Sequence, residues 1–123
     1  MTAIAIVAVL LVAALHGYIL VLEMFLWQTP RGMKAFGTDP EFAKHSATLA
    51  ANLGLYNGFM AAGLVLGVIL ADPTGEKFQL FFLGCVILAG LYGAYTVSRR
   101  ILVVQALPAF VALLAVIAAV NMG

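Results

Sequence analysis

Four long apolar stretches constrain this chain more than any other feature of its sequence. They cover residues 4–27, 47–71, 78–97 and 101–121. A helix rises about 1.5 Å per residue, so about 20 mostly apolar residues cross a hydrocarbon core of roughly 30 Å. The stretches are continuous, whereas strands of a membrane β-barrel alternate polar and apolar residues. The sequence therefore predicts an all-α fold with four transmembrane helices.

The composition excludes most soluble classes. Hydrophobic residues make up 65% of the 123 residues, charged residues make up 9%, and the formal net charge is +1. Soluble domains carry about 25% charged residues, and nucleic-acid-binding proteins need clustered Lys and Arg. We therefore expect one integral membrane domain over residues 1–123, with no nucleic-acid partner. The single cysteine, Cys85, excludes an intrachain disulfide and is interpreted as an inert small residue.

The loops predict the orientation of the chain. The first loop carries three Lys or Arg residues, the third carries two, and the second carries only Lys77. The positive-inside rule then places the first and third loops in the cytoplasm and both termini on the outer, periplasmic or extracellular side.

Short loops make neighbouring helices antiparallel, so we expect a four-helix bundle. The first stretch has no preceding Lys or Arg and exceeds 20 residues, which predicts a retained helix rather than a signal peptide.

Turn residues predict where the helices stop and start. The segment at residues 29–32, Thr-Pro-Arg-Gly, is expected to end the first helix. Residues 38–41, Thr-Asp-Pro-Glu, combine an N-cap candidate with Pro and Glu in a first turn. Residues 41–46 are therefore expected to form a cytoplasmic extension that leads into the second transmembrane helix.

Polar residues inside the spans are costly and therefore informative. Measured along the helix axes, most of these polar residues lie roughly 5–15 Å from the cytoplasmic ends of their helices. The outer half of each span is almost entirely apolar. This asymmetry predicts a polar pocket in the cytoplasmic half of the bundle. The predicted ligand-binding residues are Glu23, Trp27, Asn52, Tyr56, Asn57, Tyr92 and Gln105.

Two acid–base candidates share one face of the first helix. Glu23 and His16 are seven residues apart, with His16 near the midplane. A buried carboxylate must pair or take up a proton, and an imidazole exchanges protons near neutral pH. The alternative for both residues is a structural role, in which the side chain only forms a hydrogen bond between helices. The same alternative applies to the amide and tyrosine side chains of the predicted pocket. Their axial separation of about 10 Å is too long for one metal ion, so no metal is predicted and no cofactor is identified.

Small residues and one proline predict local packing. The spacings Gly54-x-x-x-Gly58 and Gly63-x-x-x-Gly67 permit close helix approach, within the chain or in a homo-oligomer. Pro108 cannot donate to the carbonyl of Val104, so a kink is expected there beside Gln105.

Several segments together resemble one family. They are HGY at 16–18, LEMFLWQTPRG at 22–32, AANLGLYNGF at 50–59, FFLGCV at 81–86, AGLYG at 89–93, and Gln105 with Pro108. This set is similar to the small bacterial four-helix membrane proteins grouped as domain of unknown function 1304, across nearly the whole chain. The resemblance implies a compact inner-membrane protein without an assigned reaction. Leu53 stands where many relatives are expected to carry Gln.

Three hypotheses for the function follow. The first is a binding or carrier protein for a small lipophilic molecule, with membrane lipids as its surroundings. The second is an intramembrane enzyme, such as an acid–base isomerase or epimerase or a quinone- or lipid-modifying enzyme, with Glu23 or His16 as the catalytic group. The third is a structural or accessory subunit of a membrane complex, whose polar residues only hold helices together.

Overall fold

The computed structural model describes residues 1–122 and is helical throughout, with no strand in that range. The helices are α1 (Ala3–Met24), α2 (Pro30–Phe36), α3 (Pro40–Ile69), α4 (Thr74–Thr96), a π-helical turn (Leu102–Ala106) and α5 (Leu107–Met122). Four segments are long and apolar enough to cross a membrane, namely α1, α3, α4 and Leu102–Met122. The all-α class and the four candidate spans are thus confirmed, and the chain has the character of a multi-pass membrane protein. The antiparallel order and the side of the termini stay predictions.

The start of α3 follows from its first residues. The Oδ1 atom of Asp39 accepts a hydrogen bond from the backbone N–H of Phe42 at 2.8 Å, and Pro40 opens the helix. A proline at this position loses no helical hydrogen bond, because the first N–H groups have no partner within the helix. The helix has 30 residues, about 45 Å of rise, so it exceeds the hydrocarbon thickness. The expected extension before residue 47 is therefore helical.

The segment after α1 contains a short helix that the sequence interpretation treated only as a stop. Thr29 is the N-cap of α2: its Oγ1 accepts from the N–H of Gly32 at 3.3 Å and donates to the carbonyl of Leu26 at 2.6 Å. Gly37 ends α2 with φ 67°, a left-handed conformation that favours glycine. The Thr-Pro pair and this glycine were start and stop signals for a helix, so the prediction was incomplete.

A π-helical turn precedes Pro108, at the position where the sequence predicts a kink. The N–H of Leu107 bonds to the carbonyl of Leu102, five residues earlier. The extra residue in this turn gives room for the proline ring, and Pro108 then occupies the first turn of α5, where a missing N–H is tolerated. The π-helical turn packs closely on α4, because a Cβ added to Gly90 of α4 would lie 2.9 Å from the backbone nitrogen of Ala106.

The chain forms two compact units, and α3 contributes to both. One unit comprises residues 14–61, and the other comprises residues 1–13 and the residues from 62 onward. In the first, Gly54 and Gly58 of α3 pack against Leu20 and Met24 of α1. In the second, α3 packs on α4, and α4 packs on α5. The core of that second unit includes Val9, Leu64, Leu83, Val86 and Val116, each at most 1% exposed.

Large apolar side chains also cover much of the surface. Ile69, Phe81 and Leu88 are 65–73% exposed, for example. Such a surface is unfavourable in water and suits contact with lipid acyl chains. The exposed residues therefore agree with helices that are apolar enough to cross a membrane.

Candidate functional site

Glu23 and Asn57 meet in the unit formed by residues 14–61. The Nδ2 atom of Asn57 donates to Oε1 of Glu23 at 2.6 Å and also lies 3.1 Å from the carbonyl of Leu53. The carboxylate side is buried, because Glu23 is only 7% exposed. The bond joins α1 to α3 across 34 residues of sequence. Glu23 and Asn57, both predicted site residues, are therefore in direct contact.

Glycines of α3 explain why the two helices come close enough for this bond. A Cβ on Gly54 would lie 2.6 Å from Cγ of Met24 and 3.0 Å from Cβ of Glu23. Gly58 similarly faces the end of the Leu20 side chain. Gly54 and Gly58 precede and follow Asn57 closely on α3, so the absence of their side chains lets the amide reach the carboxylate.

No lysine or arginine of residues 1–122 forms an ion pair with the Glu23 carboxyl group. Basic residues of the same unit, Arg31, Lys34 and Lys44, are exposed. Burial of an ionised carboxylate without a cation is costly, so the single amide hydrogen bond from Asn57 compensates it only in part.

Trp27 lies beyond the end of α1 and contacts other residues than Glu23. Its Nε1–H donates to Oγ of Ser46 at 3.0 Å, and Ser46 in turn donates to the carbonyl of Phe42 at 2.6 Å. The indole ring also packs on Phe36 of α2, with ring centroids 4.9 Å apart. Trp27 therefore connects the α1–α2 segment to the first turns of α3, and its donor is used in that contact.

Asn52 and Tyr56 lie on an exposed face of α3. The Asn52 amide donates to the carbonyl of Thr48 in its own helix at 2.8 Å. Tyr56 is 56% exposed and packs edge-on against Phe59 at 5.9 Å. No hydrogen bond in residues 1–122 joins either side chain to Glu23. Asn57, five residues after Asn52 and therefore on another face of α3, is the one that meets the carboxylate.

The remaining predicted residues have varied surroundings. His16 is fully buried on α1. Tyr92, on α4, is 69% exposed, and Gln105 is half-buried in the π-helical turn. Tyr92 and Gln105 belong to the other compact unit. A pocket that combines residues of all four spans stays a prediction.

One buried polar residue was missed by sequence reasoning. Gln79 of α4 is 1% exposed, and its Nε2 donates to the carbonyl of Gly67 on α3 at 2.8 Å. Its Oε1 is buried without a hydrogen-bond partner in the described structure. Gln79 is the second residue of the predicted third span. Its position near the end of a span gave no reason to predict that it is buried. The signal available was the Gly63–Gly67 spacing on the preceding helix, which predicts close approach there.

Residues 1–122 also contain a surface groove, which lies apart from the predicted site residues. A groove of about 370 Å³ follows α4 and is lined by Lys77, Phe78, Phe81 and Phe82. None of the predicted site residues lines it. No three His, Cys, Asp or Glu side chains within residues 1–122 are grouped so that they could hold a metal ion. The described geometry therefore directs attention to Glu23 and Asn57.

Comparison with known proteins gives a family. A family model described as "Protein of unknown function (DUF1304)" matches residues 10–117. The chain is also 32% identical, over 116 residues, to the uncharacterized protein YpaA of Lactococcus lactis subsp. lactis (strain IL1403). That match covers 93% of this chain and 97% of YpaA. No solved structure matches the chain. The resemblance read from the sequence is confirmed, and the chain belongs to the DUF1304 family of proteins of unknown function.

Proposed function

We propose that this protein binds or carries a small lipophilic molecule in a bacterial inner membrane, and that Glu23 and Asn57 contact the polar end of that molecule. The observation that carries the proposal is the Glu23 carboxylate, which is 7% exposed, bonded to one amide and without a Lys or Arg partner in residues 1–122. In the proposed topology, both termini lie outside and neighbouring spans are antiparallel. Glu23 then lies in the cytoplasmic half of the membrane.

Energetics support a role for this carboxylate beyond packing. A carboxylate offers about four acceptor positions, and the Asn57 amide uses one of them. Ionisable residues in membrane spans are expensive and most often mark binding or transfer sites. The proposal rests on Glu23 and Asn57 rather than on Asn52 and Tyr56, because the latter two side chains are exposed.

The second candidate function is a structural or accessory subunit. The observation that favours it is the double engagement of Asn57, whose amide nitrogen bonds to both Glu23 and the carbonyl of Leu53. In this case the Glu23–Asn57 hydrogen bond only holds α1 and α3 together, and no ligand binds there. Loss of the pair would then change stability or assembly and leave no ligand to find.

Native mass spectrometry of gently extracted protein separates the two functions. Wild type is compared with Glu23→Gln, which keeps the shape and can still accept from Asn57. Glu41→Gln is the matched control, because Glu41 is an exposed carboxylate of the same compact unit. We expect a co-purified small molecule on wild type and on Glu41→Gln, and a reduced amount on Glu23→Gln. The same spectra report the oligomeric state and bound lipids.

Either contrary result changes the proposal. Bare protein in all three samples contradicts the binding function and favours the structural subunit. A ligand retained equally by Glu23→Gln contradicts the assignment of the carboxylate. The proposed topology is tested separately, with reporters fused after residue 37 and after residue 122. Activity of a cytoplasmic reporter at residue 122 would reverse the orientation.

A further inference from the structure

The hydrogen-bonding capacity of the Glu23–Asn57 pair restricts the chemistry of a ligand that contacts it. A primary amide has two N–H donors and one carbonyl oxygen. Asn57 Nδ2 donates to Oε1 of Glu23 at 2.6 Å and to the carbonyl of Leu53 at 3.1 Å, so both donors are used. An ionised carboxylate has no donor of its own. With Glu23 ionised, the pair therefore presents only acceptors to a ligand.

The charge of the site adds a second restriction. Glu23 is buried, and no lysine or arginine of the described chain pairs with it. An ionised carboxylate that leaves water is stabilised by an opposite charge or by several donors, and Asn57 supplies one donor. A ligand that brings positive charge and N–H groups together meets both needs at once.

Two other donors of the same compact unit are occupied as well. The Nε1–H of Trp27 donates to Ser46, and the hydroxyl of Ser46 donates to the carbonyl of Phe42. These N–H and O–H groups are therefore committed to contacts within the protein. They do not offer an anionic or carbonyl-bearing head group the donors that it would need.

We infer that the ligand of this site is a protonated amine carried on an apolar group, bound through its N–H donors to the carboxylate of Glu23. The inference rests on the proposed function and adds the head-group class to it. Ammonium-to-carboxylate hydrogen bonds are charge-assisted and about twice as strong as neutral ones. The ionised carboxylate repels an anionic head and offers no donor to a ketone or quinone, whereas an ammonium group keeps the carboxylate ionised.

Three amphiphiles with the same tail test the inference. They are dodecylammonium, dodecan-1-ol and dodecanoate, each titrated into the full-length protein in nanodiscs of zwitterionic lipid. Empty nanodiscs correct for partition into the bilayer. The proteins are wild type, Glu23→Gln, Glu23→Asp and, as the matched control, Glu41→Gln. Calorimetry gives the stoichiometry and the Kd above the empty-nanodisc background.

We expect dodecylammonium to bind wild type and Glu41→Gln at least about tenfold more tightly than dodecan-1-ol, and dodecanoate to stay at background. Glu23→Gln should lose roughly tenfold to hundredfold in dodecylammonium affinity. Glu23→Asp keeps the charge on a shorter side chain, so it should weaken binding while dodecylammonium remains the preferred probe. This variant keeps the test decisive if Glu23→Gln does not fold.

Other results overturn the inference, and they separate it from the proposed function. Equal binding of dodecan-1-ol and dodecylammonium, both dependent on Glu23, contradicts the positive head group and leaves the binding function intact. Preference for dodecanoate does the same. Background binding of all three probes, with a different co-purified ligand on wild type, overturns the amine class alone. Background binding with no co-purified ligand overturns both the inference and the proposed function.

Discussion

The two glycine pairs of α3 have the same spacing and different surroundings. In the unit of residues 14–61, a Cβ on Gly54 would meet the Met24 side chain, Cβ of Glu23 and the carbonyl oxygen of Leu20, whereas Gly58 faces only the end of the Leu20 side chain. In the other unit, a Cβ on Gly67 would lie 3.2 Å from the backbone nitrogen of Gln79 and 3.2 Å from the carbonyl oxygen of Gly75. Gly63 faces the ring of Phe82. Gly58 thus meets only the movable end of a side chain, whereas Gly54 and Gly67 both approach backbone atoms and Gly63 meets a ring.

Each pair also lies beside a polar bond of a different kind. Near Gly54 and Gly58, the Asn57 amide bonds to a carboxylate, whereas Gln79 bonds to the carbonyl of Gly67 itself. A carboxylate has acceptor positions besides the one that Asn57 uses, whereas the carbonyl of Gly67 belongs to the helix backbone. The comparison teaches that small-residue spacing shows where helices approach, and that the opposing atoms decide how closely they approach and which polar contact forms.

Gly67→Ala should produce the largest loss of stability. The added methyl lies 2.8 Å from Cγ of Gln79 and close to two backbone atoms, so α3 and α4 must separate. We expect about 1–3 kcal/mol of destabilisation, measured by thermal unfolding in detergent. Gly84→Ala is the control, since a Cβ there meets no atom within 4 Å. Equal losses for the two variants would show that α4 does not hold Gly67 closely.

Asn57→Leu should have the next largest effect. It removes both amide bonds and leaves Glu23 without its described donor, so about 1–2 kcal/mol should be lost from the free energy of unfolding. Unfolding by titration with a denaturing detergent measures the change. Asn52→Leu is the control, because its exposed amide bonds only to its own helix. A loss of the same size at both positions would argue against a special Glu23–Asn57 contact.

Gln79→Met should cost less than Asn57→Leu, about 1 kcal/mol or below. The substitution removes the bond to Gly67 but also removes a buried Oε1 that has no hydrogen-bond partner in the described structure. Removal of the unpaired oxygen therefore offsets part of the stability that is lost with the hydrogen bond to Gly67. The same detergent titration measures it, with the exposed Gln28→Met as the control. A loss larger than that of Asn57→Leu would reverse the expected ranking of the two polar contacts.

Gly58→Ala should have the smallest effect, within about 0.5 kcal/mol of wild type. The added methyl meets only the end of the Leu20 side chain, which can rotate, and alanine favours a helix more than glycine does. Gly17→Ala, on α1 with no atom within 4 Å of an added Cβ, is the control. If thermal unfolding shows that Gly58→Ala is as damaging as Gly67→Ala, the contrast between flexible and rigid surroundings is incorrect.

Much of the secondary structure could be predicted because its signals are local. Residues that precede and open α3, such as Asp39 and Pro40, act through hydrogen bonds a few residues away. The same is true of the proline that follows the π-helical turn, although the type of turn was not predictable. The helix α2 was overlooked despite Thr29 and Gly37, because a stop signal and a start signal coincide in the same four residues.

The candidate site could be predicted only in part. The spacing of five residues between Asn52 and Asn57 means different faces of α3, but it does not say which face meets Glu23. That choice depends on the rotation of α3 about its axis, which is set by the packing of Gly54 and Gly58 on α1. The burial of Gln79 likewise depends on how closely α4 approaches Gly67.

The sequence by itself determined the apolar spans, the capped start of α3 and the family, because hydropathy, capping and motif similarity are properties of contiguous residues. Only the tertiary structure decided that Glu23 bonds to Asn57, that Trp27 bonds to Ser46, and that Asn52 and Tyr56 are exposed. The physical reason is that nearly every face of these helices is apolar. With little contrast between faces, the pattern of residues does not define the rotation of a helix, and close contact at small residues does.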